Sequence, residues 1–177
     1  HGMILDKNGK KMSKSKGKGI DPIETIEKFG ADATRLSLLM GFTPGNDSRF
    51  SEEKIESKRN FINKLWNISR FILSNIKKTD IDEKSFQLNS LADRWIINSF
   101  EKTKESVTNK LESFDFSLAA EELTEFTWNK FADWYLEISK IEGNKDKILL
   151  YILKNLLIMW HPFIPFVTEE LYSHFKT

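Results

Sequence analysis

The spacing of apolar residues predicts that most of the chain is helical. Within residues 51–76, Phe61, Leu65, Ile68 and Ile72 recur at intervals of three or four positions, which places them on one face of an α-helix. Similar patterns, separated by turn residues, predict further helices at residues 90–111, 117–141, 146–160 and 165–175. We therefore predict a bundle of four or five helices.

The first 45 residues follow a different pattern, which predicts a small appendage to the bundle. Asn8-Gly9 separates an apolar stretch from a lysine-rich one, and this pair is typical of a β-hairpin with a type I′ turn. Asp21 followed by Pro22 predicts the start of a helix, because aspartate is a good N-cap and proline is favoured at the first helical position.

Two short helices are expected in this appendage. The first should end at Gly30, because glycine readily takes the positive φ angle that follows a helix C-terminus. Asp32 is expected to cap the second helix, which runs to about Met40. The predicted fold class is therefore mainly α, a helical bundle with a small N-terminal α/β appendage, and we divide the chain into domains at residues 1–45 and 46–177.

Composition excludes several classes of protein. The chain has no cysteine, so neither a disulfide framework nor a thiolate metal site is possible. No apolar run approaches the roughly 18 residues that a membrane span needs, and no signal peptide opens the chain. These features predict a cytoplasmic protein. The net charge is only +1, so the distribution of charge is more informative than its total.

Lysines are concentrated at the N-terminus, where residues 1–18 hold six lysines and one acidic residue. The predicted loop in this stretch contains the string Lys11-Met12-Ser13-Lys14-Ser15. Two ammonium groups can attract a polyphosphate, while serine hydroxyls and exposed backbone N–H groups can donate directed hydrogen bonds to it. The loop is therefore a candidate anion site, although a lysine-rich loop can also be merely solvated.

This string resembles the KMSKS signature of the class I aminoacyl-tRNA synthetases and matches it at all five positions. Further segments resemble the branch of valyl, isoleucyl and leucyl members, and four of them resemble the valyl members specifically. The matching segments are residues 19–22, 29–35, 44–47, 59–67, 91–96, 128–135 and 161–166, and the valyl-like ones are 44–47, 59–67, 91–96 and 128–135. Lys18 departs from the pattern, which usually has asparagine there, but an added positive charge should not abolish phosphate contact.

The resemblance implies an enzyme that condenses valine with ATP to valyl-adenylate and then transfers the valyl group to tRNA. Carried over to this chain, the ATP-binding residues would be Lys11, Met12, Ser13, Lys14 and Ser15. Lys11 and Lys14 would be catalytic, because they would stabilise the ATP phosphates in the transition state. ATP with Mg²⁺ would be a substrate of the full enzyme, and no tightly bound cofactor is expected. The resemblance also implies a cytoplasmic monomer that binds tRNA(Val).

The chain lacks several parts that such an enzyme needs. It contains no His-x-Gly-His string and no dinucleotide-type βαβ sheet to hold the amino acid and adenosine. It also has no room for an editing domain, which a hydrophobic amino-acid pocket would require. The opening His1-Gly2-Met3 is not an ordinary translation start. We therefore expect a piece of a longer protein that is inactive on its own.

The helix predicted at residues 51–76 carries a polar stripe that is the best candidate for RNA contact. Asparagine is a mediocre helix former, so an asparagine-rich stripe suggests a role beyond solvation. Amides can pair with base edges, Arg and Lys can bind phosphates, and an aromatic ring such as that of Phe71 can stack on an unstacked base. The predicted anticodon-binding residues are Arg59, Asn60, Asn63, Lys64, Asn67, Arg70 and Phe71.

The sequence alone leaves alternatives to this interpretation open. The asparagines could form hydrogen bonds between helices, and Phe71 could be an ordinary core residue. The chain could also come from an isoleucyl or leucyl member, although residues 44–67 favour the valyl branch. A helical module used only for protein–protein contact is a further alternative, and it would lack the steep salt dependence of RNA binding.

Overall fold

Helices account for most of the computed structural model, which describes residues 2–6, 8–12, 21–41, 45–76 and 87–175. The N-terminal part contains the strands β1 (Ile4–Leu5) and β2 (Ser48–Arg49) and the helices α1 (Pro22–Phe29) and α2 (Ala31–Leu39). The bundle contains α3 (Glu52–Asn75), α4 (Leu91–Glu112), α5 (Phe116–Glu125), a π-helix (Phe126–Tyr135), α6 (Leu136–Glu142), α7 (Asp146–Trp160) and α8 (Pro165–Ser173). The predicted mainly α fold is confirmed. Within the described ranges, no helix is both long and apolar enough to cross a membrane.

The first strand has backbone partners on both sides. Leu5 forms an antiparallel bridge with Lys11, as the predicted hairpin requires. The predicted type I′ turn is wrong, however, because a positive φ angle occurs at Gly9 but not at the asparagine before it. Gly9 donates its N–H to the carbonyl of Asp6 at 2.9 Å, so the glycine ends a longer turn that starts at Asp6. On its other side, β1 pairs in parallel with β2.

The residues that bound α1 act as the sequence predicts. Asp21 accepts the N–H of Ile23 through its carboxylate at 2.8 Å, and Pro22 is the first helical residue. Gly30 has a φ angle of 90° and donates its N–H to the carbonyl of Ile26, which ends the helix. A glycine suits this position because a side chain would be strained at such an angle.

The second N-terminal helix is tied to the last helix of the bundle. The prediction that Asp32 caps α2 is wrong, because Gly30 occupies the cap position and Asp32 is the second residue of the helix. The Asp32 carboxylate instead accepts the N–H groups of Phe166 and Val167, at 3.3 and 2.8 Å, in the first turn of α8. These groups have no partner inside α8, so a carboxylate from elsewhere in the chain satisfies them. Arg35 adds bonds of 3.3 and 3.4 Å to carbonyls of the turn between α7 and α8.

Trp160, at the end of α7, lies at the centre of the main hydrophobic core. Its ring centroid is 4.9 Å from that of Phe61 on α3 and 5.8 Å from that of Phe163. The buried indole N–H donates to the hydroxyl of Thr127 in the π-helix at 3.0 Å. The predicted apolar face of α3 is buried throughout. As a result, α3, α7 and the π-helix meet around one side chain.

The helix predicted at residues 117–141 contains a π-helical segment that the apolar pattern does not indicate. A continuous helix runs from α5 to the end of α6, but ten residues in its middle, Phe126–Tyr135, form the π-helix. At the end of this segment the N–H of Leu136 bonds to the carbonyl of Phe131, five residues earlier. Because a π-helix is wound more widely than an α-helix, the residues after its first turn are rotated from their α-helical positions. Phe131 and Tyr135 remain fully buried, as their apolar spacing suggests.

A buried carboxylate joins the start of α4, the end of the π-helix and the start of α7. Asp93 is 1% exposed and accepts hydrogen bonds from the Tyr135 hydroxyl and the Lys145 ammonium, each at 2.8 Å. It also forms a capping box with Ser90. Burial alone would raise the pKa of the Asp93 carboxyl, but the hydrogen bonds from Lys145 and Tyr135 outweigh burial and lower the pKa below its usual value. Asp93 is therefore an ionised group within the core.

We predict that Asp93→Asn lowers the free energy of unfolding by about 3 kcal/mol, near the low end of the range for breaking a buried ion pair. The loss is moderated because Lys145 keeps an ion pair with Glu142, at 2.8 Å. Urea denaturation should show a lower midpoint with an unchanged slope, as expected for a change in stability alone.

The matched control is Asp146→Asn, which changes an exposed acid in the first turn of α7 and should cost no more than about 1 kcal/mol.

The contribution of Asp93 to stability should also depend on pH. Folding lowers the pKa of Asp93, so the stabilisation that Asp93 gives the folded state is present above the unfolded-state pKa of about 3.9 and is lost as the pH falls through the folded-state value. The unchanged protein should therefore lose more stability than Asp93→Asn between roughly pH 5 and pH 2. Equal losses would contradict an ionised Asp93.

Candidate nucleic-acid interface

The predicted RNA-contact residues lie on the solvent-facing side of α3. Ser51 starts this helix by accepting the N–H of Lys54 at 3.3 Å. Because Phe61, Leu65, Ile68 and Ile72 are turned into the core, the opposite side of α3 faces solvent, and we call the predicted contact residues on that side the α3 stripe. The α3 stripe consists of Arg59, Asn60, Asn63, Lys64, Asn67, Arg70 and Phe71, all of them exposed except the half-buried Lys64.

The asparagines of the α3 stripe do not connect helices. Among the residues that the structure describes, the side chains of Asn60, Asn63 and Asn67 have no hydrogen-bond partner. Phe71 is 38% exposed, so it is not an ordinary core residue either. The amide groups and the aromatic ring are therefore accessible to a ligand on the surface of α3.

Lys64 differs from the rest of the α3 stripe because its charge is already paired. Its ammonium lies 2.6 Å from the carboxylate of Asp133 and 3.7 Å from the centroid of the Trp128 ring, both in the π-helix. Trp128 in turn stacks on Phe61 of the core, with ring centroids 6.3 Å apart. Lys64 thus connects α3 to the π-helix, in addition to any contact with a ligand.

Phe71, at the end of the α3 stripe, also has a charged neighbour. The ammonium of Lys140, in α6, lies 5.1 Å from the centroid of the Phe71 ring, within the range of a cation–π contact. The same ammonium pairs with Glu137 at 2.6 Å. The Lys140 charge is therefore already paired, and the exposed Phe71 ring is the part of this surface on which a base can stack.

The helix predicted at residues 117–141 also lines this surface, but its contact with α3 was not predicted. Trp128 and Asp133 both contact Lys64 although they are five positions apart, which would separate them by about 140° around an α-helix. In a π-helix, residues five apart are joined by the backbone hydrogen bond and lie close together. The aromatic-rich segment Phe126–Tyr135 was visible in the sequence, but nothing in it specifies this helical register.

A small cavity lies beside Phe71, between the end of α3 and the turn that joins α6 to α7. Its volume is about 130 Å³, and its polar lining includes Asn75, Lys140, Asn144 and Asp146. Asn144 has a φ angle of 54° in this turn. The cavity adds amide and carboxylate groups next to an aromatic ring, a combination that can bind the edge of a base.

Only the beginning of the predicted ATP loop lies within the described residues. Lys11 is exposed, and Met12 packs against a small buried cluster formed by α2 and the start of α3. Ser13, Lys14 and Ser15 lie outside the described residues. In the described part of the chain, no group of three or more His, Asp or Glu side chains is arranged to hold a metal ion.

We predict that Lys64→Ala lowers the free energy of unfolding by about 1–2 kcal/mol, because it removes an ion pair and a cation–π contact between two helices. The matched control is Arg70→Ala on the same stripe. Arg70 has no ion-pair partner in the described ranges, so its replacement should change stability by less than about 0.5 kcal/mol. Urea titrations of both variants give the comparison, and equal effects would show that Lys64 does not join the helices in solution.

Two known families match separate parts of this chain. Residues 1–51 match the family described as tRNA synthetases class I (I, L, M and V). Residues 93–177 match the family described as the anticodon-binding domain of tRNA ligase. The α3 stripe lies between these two matched regions.

Curated relatives match almost the whole chain. It is 46% identical to a valine–tRNA ligase of Bacillus cereus over 98% of its length, and 42% identical to that of Clostridium acetobutylicum over 98%. A valine–tRNA ligase of Mycoplasma mycoides is 45% identical over 97%. Each match covers 21% of the relative, so the chain spans about a fifth of the length of these proteins.

The fold is also similar to part of a solved structure. LeuRS from Agrobacterium radiobacter, solved as a ternary complex with tRNA and LeuAMS, matches with a TM-score of 0.81 over 99% of this chain and 22% of that chain. The two sequences are 24% identical in the matched region, so this similarity concerns the fold alone.

Proposed function

We propose, since the chain belongs to the class I aminoacyl-tRNA synthetases, that it is the segment of a valine–tRNA ligase that binds the anticodon arm of tRNA(Val). The α3 stripe is the observation that supports this most directly, because its amides, guanidinium groups and aromatic ring face solvent along one helix. The identities of 42–46% with valine–tRNA ligases support valine over the related amino acids.

The chemistry of the α3 stripe suits an unpaired RNA loop. In this proposal, the asparagine amides bind the edges of anticodon bases, where each amide can both donate and accept a hydrogen bond. Arg59 and Arg70 bind backbone phosphates at the two ends of the stripe. Phe71 stacks on one unstacked base, and the neighbouring cavity provides further polar groups for that base.

In the full-length enzyme, the N-terminal loop would act on ATP. We propose that the valine carboxylate attacks the α-phosphorus of ATP, which forms valyl-adenylate and releases pyrophosphate. Lys11 and Lys14 would stabilise the negative charge that grows on the departing pyrophosphate, while Ser13 and Ser15 shape the loop. Mg²⁺ would accompany ATP as part of the substrate. The valyl group would then pass from the adenylate to a hydroxyl of the terminal adenosine of tRNA(Val), and AMP would be released.

The organisation of the chain follows from the same proposal. Residues 1–45 would hold the ATP loop and a segment that resembles the stem-contact region of the family, and residues 46–177 would form the anticodon-binding bundle. We also propose that the parent enzyme is a cytoplasmic monomer. The segment alone would be inactive in aminoacylation, because it would have no pocket for valine and adenosine.

The proposed anticodon contact can be tested with Phe71→Ala. This change should weaken binding to the anticodon stem-loop of tRNA(Val) by roughly 1–3 kcal/mol, because a base loses its stacking partner. Fluorescence anisotropy with a labelled stem-loop measures the affinity. The matched control is Phe166→Ala, which removes a 65% exposed phenylalanine from α8 and should leave binding unchanged. Unchanged affinity for Phe71→Ala would remove the stacking assignment.

The proposed ATP contact can be tested with Lys14→Ala in the full-length enzyme. The rate of valyl-adenylate formation, measured by pyrophosphate exchange, should fall while the affinity for valine changes little, because the lysine acts on the transition state. Lys102→Ala, at an exposed position on α4, is the control and should have no effect on either quantity. A collapse of valine binding with a normal rate would contradict the phosphate role.

A further inference from the structure

The cations of the α3 stripe are not equivalent. Arg59 and Arg70, near its two ends, have no ion-pair partner among the residues that the structure describes. Lys64, between them, is held by the carboxylate of Asp133 at 2.6 Å and by the Trp128 ring at 3.7 Å. The stripe therefore has available positive charge near its ends and a neutralised lysine among the asparagines in its middle.

The position of Asp133 results from the π-helix rather than from a chance surface contact. The helix is fixed near its start by the bond between Thr127 and the buried indole of Trp160. It is fixed at its end by the bond from Tyr135 to the buried carboxylate of Asp93. Because both ends are held by the core, the turn that carries Asp133 is presented to α3 in a defined place.

Asp133 also faces solvent beside the α3 stripe. Its side chain is 49% exposed, whereas that of Lys64 is 26% exposed. A phosphate that approached the middle of the stripe would meet a carboxylate together with the lysine, so the net attraction there would be small. A base, which carries no charge, would meet no such opposition.

We propose that Asp133 is a specificity-determining residue that neutralises Lys64 and so reserves the middle of the α3 stripe for anticodon bases. This inference rests on the function proposed above. Phosphate contacts strengthen the binding of every RNA alike, whereas base contacts distinguish one sequence from another. A residue that suppresses a phosphate contact where bases are read therefore increases discrimination, at some cost in total affinity.

The test is Asp133→Asn, which keeps the size of the side chain and removes its charge. Two RNAs are used, the anticodon stem-loop of tRNA(Val) and the same stem-loop with all three anticodon bases changed, each titrated at several salt concentrations. We expect both RNAs to bind the variant more tightly at low salt, and the ratio of the two affinities to fall. One added phosphate contact should steepen the slope of log affinity against log salt by about 0.7–0.9, an additional loss of about threefold between 50 and 200 mM salt.

Two further variants test whether the released Lys64 causes the change in salt slope. The double variant Lys64→Gln with Asp133→Asn removes the released lysine, so its salt slope should return to that of the unchanged protein. The control Glu52→Gln removes the same charge from another ion pair between elements, that of Lys28 with Glu52. Glu52 lies about 18 Å along α3 from Lys64, beyond a screening length of about 8 Å at physiological salt, so the slope should not change.

The outcomes separate this inference from the proposed function. If the unchanged protein does not distinguish the two stem-loops and Phe71→Ala has no effect, the proposed function itself fails. If it distinguishes them but Asp133→Asn leaves the slope and the affinity ratio unchanged, only the inference about Asp133 is overturned. A loss of binding to both RNAs by a folded Asp133→Asn protein would also overturn it, because Asp133 would then be contacting RNA directly. Circular dichroism and urea denaturation confirm folding of each variant.

Discussion

The attachment of the π-helix to the core at both ends is the constraint on which the surface beside α3 depends. At its start, a threonine hydroxyl accepts the indole N–H of Trp160, and at its end Tyr135 donates to the buried carboxylate of Asp93. Both bonds are buried, where an unsatisfied polar group would be costly, so neither end can shift without a penalty. The side chains between them therefore meet α3 in one register, and Lys64 is held where it is because the core holds the helix opposite to it.

The sequence predicts some elements well because their signals are local. The helices α3, α4 and α7 begin and end within one residue of their predicted limits, since each combines an apolar period with a clear start or stop signal. The partner of Asp32 could not be predicted, because the peptide groups that it caps lie more than 130 positions away. The π-helix was missed because its apolar residues also fit an α-helical period over a short stretch. The hairpin was predicted, but its predicted type I′ turn was wrong, because Asn8-Gly9 is compatible with more than one turn.

The candidate site also has some features that the sequence predicts and others that it does not. The exposure of the α3 stripe is favoured by the apolar face of the same helix, which must turn inward, but the sequence left open whether Phe71 is a core residue. Which of its charges are available was not predictable, because Lys64 and Asp133 are 69 positions apart. The affinity of such a surface for RNA is governed by the unpaired charges, and its selectivity by the groups between them.

The bond between Asp32 and α8 has a consequence for how the chain folds. A helix whose first turn is capped by its own neighbours can begin to form locally, but α8 receives its cap from a residue near the opposite end of the chain. Its first turn is therefore completed only when α2 has docked against it, which is a contact of high sequence separation and one that forms slowly. Residues 46–177 produced by themselves would end in a helix whose leading N–H groups face a gap that only water could fill.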